Sequence, residues 1–245
     1  MDQAVNNPAL PGQTPQETVN TSVSVVGQPQ VYRAVRAVGV VKPTYVPQTS
    51  NFGNNLQVIG TAFWLKEYKV LITCAHVVQG LLSGTLEQTG LLVVGNLGKY
   101  ARAAIASLDL AHDLAVLQIT GESQEFIEAE AASGLEIVGA YPQVGRAVGY
   151  AGFPMGSQLL NSIHSPTYAE GVVAVQLREG PIRKEIQITG AVAGGYSGAP
   201  VVLKDDPSKL IGVLSSGPSA PGAQGNIFMA VSWTHVEALA KLSKS

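Results

Sequence analysis

The sequence predicts an all-β protein, a sandwich or a barrel. Three observations carry that reading. From Val31 onward the chain is a series of short apolar runs rich in β-branched residues, the pattern of half-buried and buried strands. Gly, Pro, Asn and Ser break the runs apart, and 27 glycines and 14 prolines in 245 residues suit many turns rather than long helices. Hydrophobic residues make up 46% and charged residues 13%, about half the usual share of roughly 25%.

Strands are predicted near 31–41, 56–65, 69–74, 90–94, 100–107 and 113–120, anchored by runs such as Val70-Leu71-Ile72 and Leu114-Ala115-Val116-Leu117. A second set follows near 146–151, 169–178, 183–189, 199–204, 209–215 and 226–232, with Val201-Val202 and Ile211-Gly212-Val213 as its clearest members. Between the sets, residues 121–133 are acidic and rich in Ala and Glu, so they suit an exposed turn or short helix linking two halves. Six strands on each side of that linker allow two similar barrels. From Trp233 to Ser243 the chain places Val236, Leu239 and Ala240 on one face at helical spacing, so a terminal helix packed on the barrel is expected. Residues 1–30 offer almost nothing to bury and read as a flexible arm.

Composition excludes several function classes. Fifteen basic and 17 acidic residues leave a net charge of −2, so no overall field draws in nucleic acid or an acidic membrane surface, and neither is an expected partner. No stretch approaches the roughly 18 apolar residues of a membrane span. Met1 to Asn20 has neither a basic start nor an apolar run, so a cytoplasmic protein is expected. The single cysteine, Cys74, cannot form an internal disulfide and excludes a multi-cysteine zinc site. No metal and no cofactor are expected. About a dozen residues follow the last strand, so no appended binding domain is expected.

Three segments carry chemistry. Thr73-Cys74-Ala75-His76-Val77-Val78 sets a histidine directly after an apolar strand, Asp113 opens another, and Gly194-Gly195-Tyr196-Ser197-Gly198-Ala199-Pro200 holds a serine in a glycine-rich loop. The order His, Asp, Ser is that of the chymotrypsin-fold proteases. A serine hydroxyl is a poor nucleophile at neutral pH and needs a base. A histidine can take its proton and later pass it to the leaving amine. An aspartate fixes the ring tautomer and stabilises the imidazolium. His76, Asp113 and Ser197 are therefore the candidate triad, and the N–H groups of Gly195 and Ser197 the candidate oxyanion hole, with donors worth roughly 2.7–4 kcal/mol each in related sites.

Each residue also has a plainer reading: a structural histidine, a turn aspartate, a Gly-Ser loop. Their joint occurrence in this order on a β-rich chain favours the triad. His112 adjoins Asp113, but alternation along 112–119 directs it the opposite way, toward solvent. Asp109 is the weaker acid candidate, and His164 sits in a Ser/Pro loop. A triad of Ser197, Asp205 or Asp206, and His235 would suit an α/β-hydrolase. That fold needs a G-x-S-x-G elbow, where this chain has Ala199, and alternating helices that it lacks. Cys74 is read as a small buried residue at a strand end in preference to a redox-sensitive thiol.

Between about residue 57 and 243 the chain resembles the protease domain of the HtrA/Deg group of chymotrypsin-like serine proteases. The likeness rests on Gly60-Thr61-Ala62-Phe63, on Leu71 to Val78, on Asp113 to Ile119, and on Ile186 to Thr189 leading to Ser197-Gly198-Ala199-Pro200. Ile211-Gly212-Val213 and Gly225 to Val231 fit its last strands. The His and Ser segments are specific and the strand matches supportive. The resemblance implies two six-stranded antiparallel β-barrels, the first over 31–125 with His76 and Asp113. The linker, the second barrel with Ser197 and a C-terminal helix would occupy 126–245, with the triad in the cleft. It further implies that the edge strand Leu214-Ser215-Ser216-Gly217 pairs with an extended substrate backbone, whatever the peptide's sequence. Ala191 would fall at the base of the primary specificity pocket, with no carboxylate to bind Arg or Lys, so a small or medium apolar side chain is the expected guest.

The departures from the group are informative. Tyr196 stands where HtrA proteins usually carry Asn and digestive proteases Asp, so activation by pairing that Asp with a new N-terminus is not available. Ala193-Gly194 replaces a common Asn-Pro, which leaves the loop looser and suggests an oxyanion hole set by substrate or a partner. No PDZ domain is expected, and the polar arm gives no basis for the N-terminal trimerisation of HtrA relatives. The leading expectation is a serine endopeptidase acting on unfolded or exposed protein segments. The alternatives are a latent or inactive peptide-binding module and a narrow-specificity processing protease.

Overall fold

Thirteen strands and four helices occupy the described residues of the computed structural model, which are 30–41, 56–82, 91–96, 99–154, 165–179, 183–216 and 227–244. Six strands form the first barrel: β1 (Val35–Val41), β2 (Leu56–Leu65), β3 (Val70–Thr73), β4 (Leu91–Asn96), β5 (Lys99–Asp109) and β6 (Leu114–Thr120). They close in the order β1-β2-β3-β6-β5-β4. Every neighbouring pair is antiparallel, and closure leaves no exposed sheet edge to template aggregation.

The second barrel follows a two-residue strand, β7 (Glu136–Ile137), and contains β8 (Ala147–Gly152), β9 (Thr167–Glu179), β10 (Arg183–Gly190), β11 (Pro200–Leu203), β12 (Lys209–Ser216) and β13 (Ile227–Ser232). Pairing of β11 with β12 closes it. The expectation of two six-stranded antiparallel barrels holds, with one addition. β7 joins β12 in parallel, through Lys209 opposite Glu136 and Leu210 opposite Ile137. Two residues are too few to show a period of 2, so the sequence pattern misses this strand.

The helices explain where patterning misled. α1 (Gln30–Ala34) overlaps the start of what reads as a strand over 31–41. Its single turn among β-branched residues shows no helical period, yet Val31 and Ala34 are fully buried in the first core. α2 (Ala75–Leu82) follows β3 where Val77, Val78 and Gly80 give poor intrinsic support for a helix. α3 (Gln124–Ala131) is the predicted linker helix, capped by the Ser123 side chain accepting from the Phe126 N–H. α4 (Trp233–Leu242) is the predicted terminal helix. Ser232 caps it, and Val236, Leu239 and Ala240 are buried, as their spacing requires. No helix among the described residues is long and apolar enough to cross a membrane.

Two apolar clusters make the core. One fills the first barrel and continues through Leu210, Val213 and Val231 to α4, while the other fills the second barrel around Tyr150, Ile186 and Ile188. Arg36 is the charged residue buried in β1. Its guanidinium donates to Glu130 of α3 at 2.6 and 3.0 Å and to the carbonyls of Arg33 and Val35, so the charge is paired rather than stranded. Residues 1–29 of the predicted arm lie outside the described residues; Gln30 begins α1 and donates to the Ser133 carbonyl at 2.8 Å.

Candidate active site

One joint between the barrels is Thr61, a fully buried threonine in the apolar run of β2. Its hydroxyl donates to the Gly195 carbonyl at 2.7 Å and accepts the Phe153 N–H at 3.0 Å. Its N–H donates to the Ser197 carbonyl at 2.9 Å, and its own carbonyl accepts the Thr73 hydroxyl at 2.6 Å. One polar side chain of the first barrel thus holds the serine loop of the second. The motif reading included Thr61 in the segment Gly60-Thr61-Ala62-Phe63 but gave it no role; the signal was a polar residue inside an otherwise apolar strand.

Asp113 and His76 meet at the end of β3. Asp113 Oδ1 accepts the His76 backbone N–H at 2.9 Å, and Oδ2 lies 2.7 Å from the ring Nδ1. The Asp113 carbonyl accepts the Ala75 N–H at 3.1 Å. The aspartate therefore caps the start of α2, where a carboxylate is favoured by the helix dipole and the free N–H groups. A carboxylate can only accept, so Nδ1 carries a proton, and in the neutral ring Nε2 is the acceptor. Burial alone would raise the Asp113 carboxyl. The hydrogen bonds from the His76 ring, Ser215 and the His76 N–H outweigh that and hold it below the ordinary carboxylate range.

Asp113 also has a left-handed backbone, φ 54°. Among ordinary residues aspartate and asparagine tolerate that region best, and strain of roughly 1–3 kcal/mol persists only where the surroundings over-determine it. The strand-opening position read from sequence is a turn residue bent so that both carboxylate oxygens face α2.

The strand expected at a sheet edge is not an edge: β12 pairs with β13, β11 and β7. Leu214 is buried, its N–H donates to Ala199 and its carbonyl accepts from Gly198, both at 2.8 Å, so neither group is open to a ligand. The β12–β13 register then skips Ser215, resuming with Ser216 opposite Met229. A bulge of this kind re-aims a side chain, and Ser215 Oγ donates to Asp113 Oδ2 at 2.5 Å. Gly217 lies outside the described residues.

Ser197 sits at the second-barrel wall. Gly195 at φ 101° and Gly198 at φ 85° supply the positive backbone angles its loop needs. Among the described residues, the Ser197 hydroxyl and the N–H groups of Gly195 and Ser197 make no hydrogen bond. The structure thus brings His76, Asp113 and Ser215 into direct contact and ties Ser197 to them through its backbone, from Gly198 N–H to Leu214 to Ser215. It does not form the Ser197–His76 side-chain bond. Tyr196 is buried against Tyr150, edge to face with centroids 5.6 Å apart, and burial pushes its phenol up to about 12. Ala191 is exposed, with its carbonyl accepting the Tyr150 hydroxyl at 2.9 Å.

Cys74 has no exposed surface, and its thiol donates to the Leu214 carbonyl at 3.1 Å. Burial, with the Asp113 charge adding to it, pushes the thiol well above its ordinary range, so the buried reading holds. Ligating atoms of Cys74, His76 and Asp113 lie within 4.8 Å of one another, the one such group among the described residues. All three side chains are already committed to hydrogen bonds, which makes this a proton network rather than an open ligand set. His112 corrects the sequence reading: it is 19% exposed rather than solvated, and bonds Asp109. Of the rejected hydrolase acids, Asp205 pairs with Arg146 and Asp206 with Ser208, neither of them with His235. His164 lies outside the described residues.

The stretch of chain that carries this site matches a known family. A model of the trypsin-like peptidase domain matches residues 60–213, the span that holds His76, Asp113 and Ser197. The chain belongs to that family. Among solved structures, the Rv3671c protease from M. tuberculosis in its active form aligns with a TM-score of 0.61 at 17% identity, covering 98% of this chain and 92% of that one. An inactive form of Rv3671c from M. tuberculosis H37Rv, a serine-to-alanine mutant, aligns with a TM-score of 0.59 at 17% identity, over 96% of this chain and 97% of that one. At this identity the likeness shows a shared double-barrel fold. No curated protein matches the chain.

Proposed function

We propose that this trypsin-like peptidase is a serine endopeptidase whose triad is His76, Asp113 and Ser197. The observation that carries the reading is the Asp113 carboxylate gripping both the backbone N–H and the ring Nδ1 of His76. That grip selects the tautomer in which Nε2 is a base. Ser197 Oγ attacks the scissile carbonyl carbon while Nε2 takes its proton. The N–H groups of Gly195 and Ser197, unused in the free protein, stabilise the oxyanion. Collapse breaks the C–N bond as His76 returns the proton to the amine, and water then hydrolyses the acyl-enzyme by the same steps.

Substrate is an extended, unfolded or exposed protein segment laid beside β12 at Ser215 and Ser216. With Ala191 at the pocket base, cleavage after small or medium apolar residues is expected, because a cationic guest would be buried without a partner. A second reading, a latent peptide-binding module, is favoured by one observation, the unmade bond between Ser197 and His76. Incubation of the purified chain with unfolded casein and a mixed peptide library separates the two. Cleavage by the wild type and none by Ser197→Ala supports the protease. Binding without cleavage supports the module, and strong cleavage after Arg or Lys overturns the pocket assignment.

A further inference from the structure

We propose that Asp109, His112 and His235 form a clamp that positions Asp113, making the C-terminal helix part of the apparatus that sets the candidate catalytic pair. Asp109 ends β5, directly before the turn that leads to β6. Its Oδ1 accepts the N–H groups of Ala111 and His112, both at 3.1 Å, and its Oδ2 takes the His112 ring Nδ1 at 2.6 Å. One face of the His112 ring stacks on the His235 ring, centroids 3.8 Å apart and planes 18° from parallel. His235 belongs to α4, and the next residue, Val236, is fully buried. The His112 ring is therefore fixed at its edge by a carboxylate and on its face by a half-buried aromatic ring whose helix is anchored in the core through Val236.

The consequence falls on Asp113, the next residue. Its strained φ of 54° is set by the orientation of the His112–Asp113 peptide, and a left-handed aspartate needs a neighbour that holds it there. On the far side, the Asp113 carbonyl and Oδ1 are held by Ala75 and His76 of α2. The clamp supplies the restraint on the near side. Without it the 110–113 turn relaxes, and the Oδ2–Nδ1 contact lengthens. A misplacement of about 1 Å near a reacting group costs up to about 10²-fold in rate.

The kinetic consequence rests on the protease reading, so the test has two arms in the full chain. In wild type, His235→Ala and His235→Phe, solvent exchange of the His76 Nδ1 proton is followed by NMR, alongside Tm, kcat and KM. The clamp predicts that His235→Ala speeds that exchange and lowers kcat about tenfold or more, with KM within about twofold. His235→Phe, which keeps a stacking ring, restores both. Wild-type proton exchange in His235→Ala overturns the clamp, whatever happens to Tm. So does a defect that His235→Phe fails to correct. If His235→Ala does not fold, His112→Asn is judged by the same criteria. A wild-type protein without activity removes the protease reading and leaves the proton measurement to decide the clamp.

Discussion

Ser215 Oγ lies 2.5 Å from Asp113 Oδ2, the same oxygen that takes the His76 ring at 2.7 Å. A residue of the second barrel thus shares the carboxylate oxygen that holds the His76 ring of the first, and the proposed triad depends on the two barrels staying in register.

Asp113→Asn tests the orienting role without disturbing the turn, because asparagine also tolerates the left-handed backbone. Its amide nitrogen cannot accept from Nδ1, which leaves the wrong ring tautomer. Peptide hydrolysis is expected to fall about 10⁴-fold, with the far-UV circular dichroism spectrum unchanged.

Acid stability follows from the same carboxylate. Asp113 and Asp109 both lie below the ordinary range; in each, burial opposes hydrogen bonds that win. A depressed carboxyl stabilises the fold above its unfolded pKa, roughly 3.9, and that stability is lost as pH falls through the folded value. Tm is therefore expected to fall between about pH 5 and pH 2. In Asp113→Asn the fall is smaller, since that proton-binding site is gone. Parallel Tm curves for the two proteins would contradict this.

Two neighbouring glycines separate backbone need from open space. A Cβ at Gly198 would lie 2.0 Å from the Thr61 carbonyl and 2.4 Å from the Thr73 hydroxyl, at a positive φ of 85°. A Cβ at Gly194 would meet nothing within 4 Å. By urea denaturation, Gly198→Ala is expected to cost more than about 2 kcal/mol or to abolish folding. Gly194→Ala stays within about 0.5 kcal/mol of wild type.

Cys74, buried with a raised thiol pKa, is expected to resist iodoacetamide in native buffer at neutral pH and to react once urea unfolds the chain. Mass spectrometry reads the adduct. Rapid native modification would contradict the hydrogen bond to Leu214.

Much of this was legible in the sequence. The strand over 56–65 was read at its observed bounds, because a long apolar run there ends at a turn. α4 was read from three residues at helical spacing. The His, Asp and Ser segments were visible as motifs, since each places a chemical group beside a strand end. What was missed depends on tertiary contact. α2 begins where Asp113 caps it, which no local propensity of Val77 and Val78 reveals. The alternation argument sent His112 to solvent, but residues 110–113 form a turn, where a period of 2 does not apply. Ser215 looked like one more edge residue until the bulge in β12 aimed it at Asp113.

In the proposed mechanism Ser197 is an activated nucleophile served by His76 and a working oxyanion hole. Fluorophosphonate labelling of the purified protein at neutral pH, with the adduct located by mass spectrometry, tests it without a guessed substrate. Rapid labelling confined to Ser197, none in Ser197→Ala, and strong slowing in Asp113→Asn are expected. No labelling of the wild type, or labelling that persists in Ser197→Ala, would contradict it.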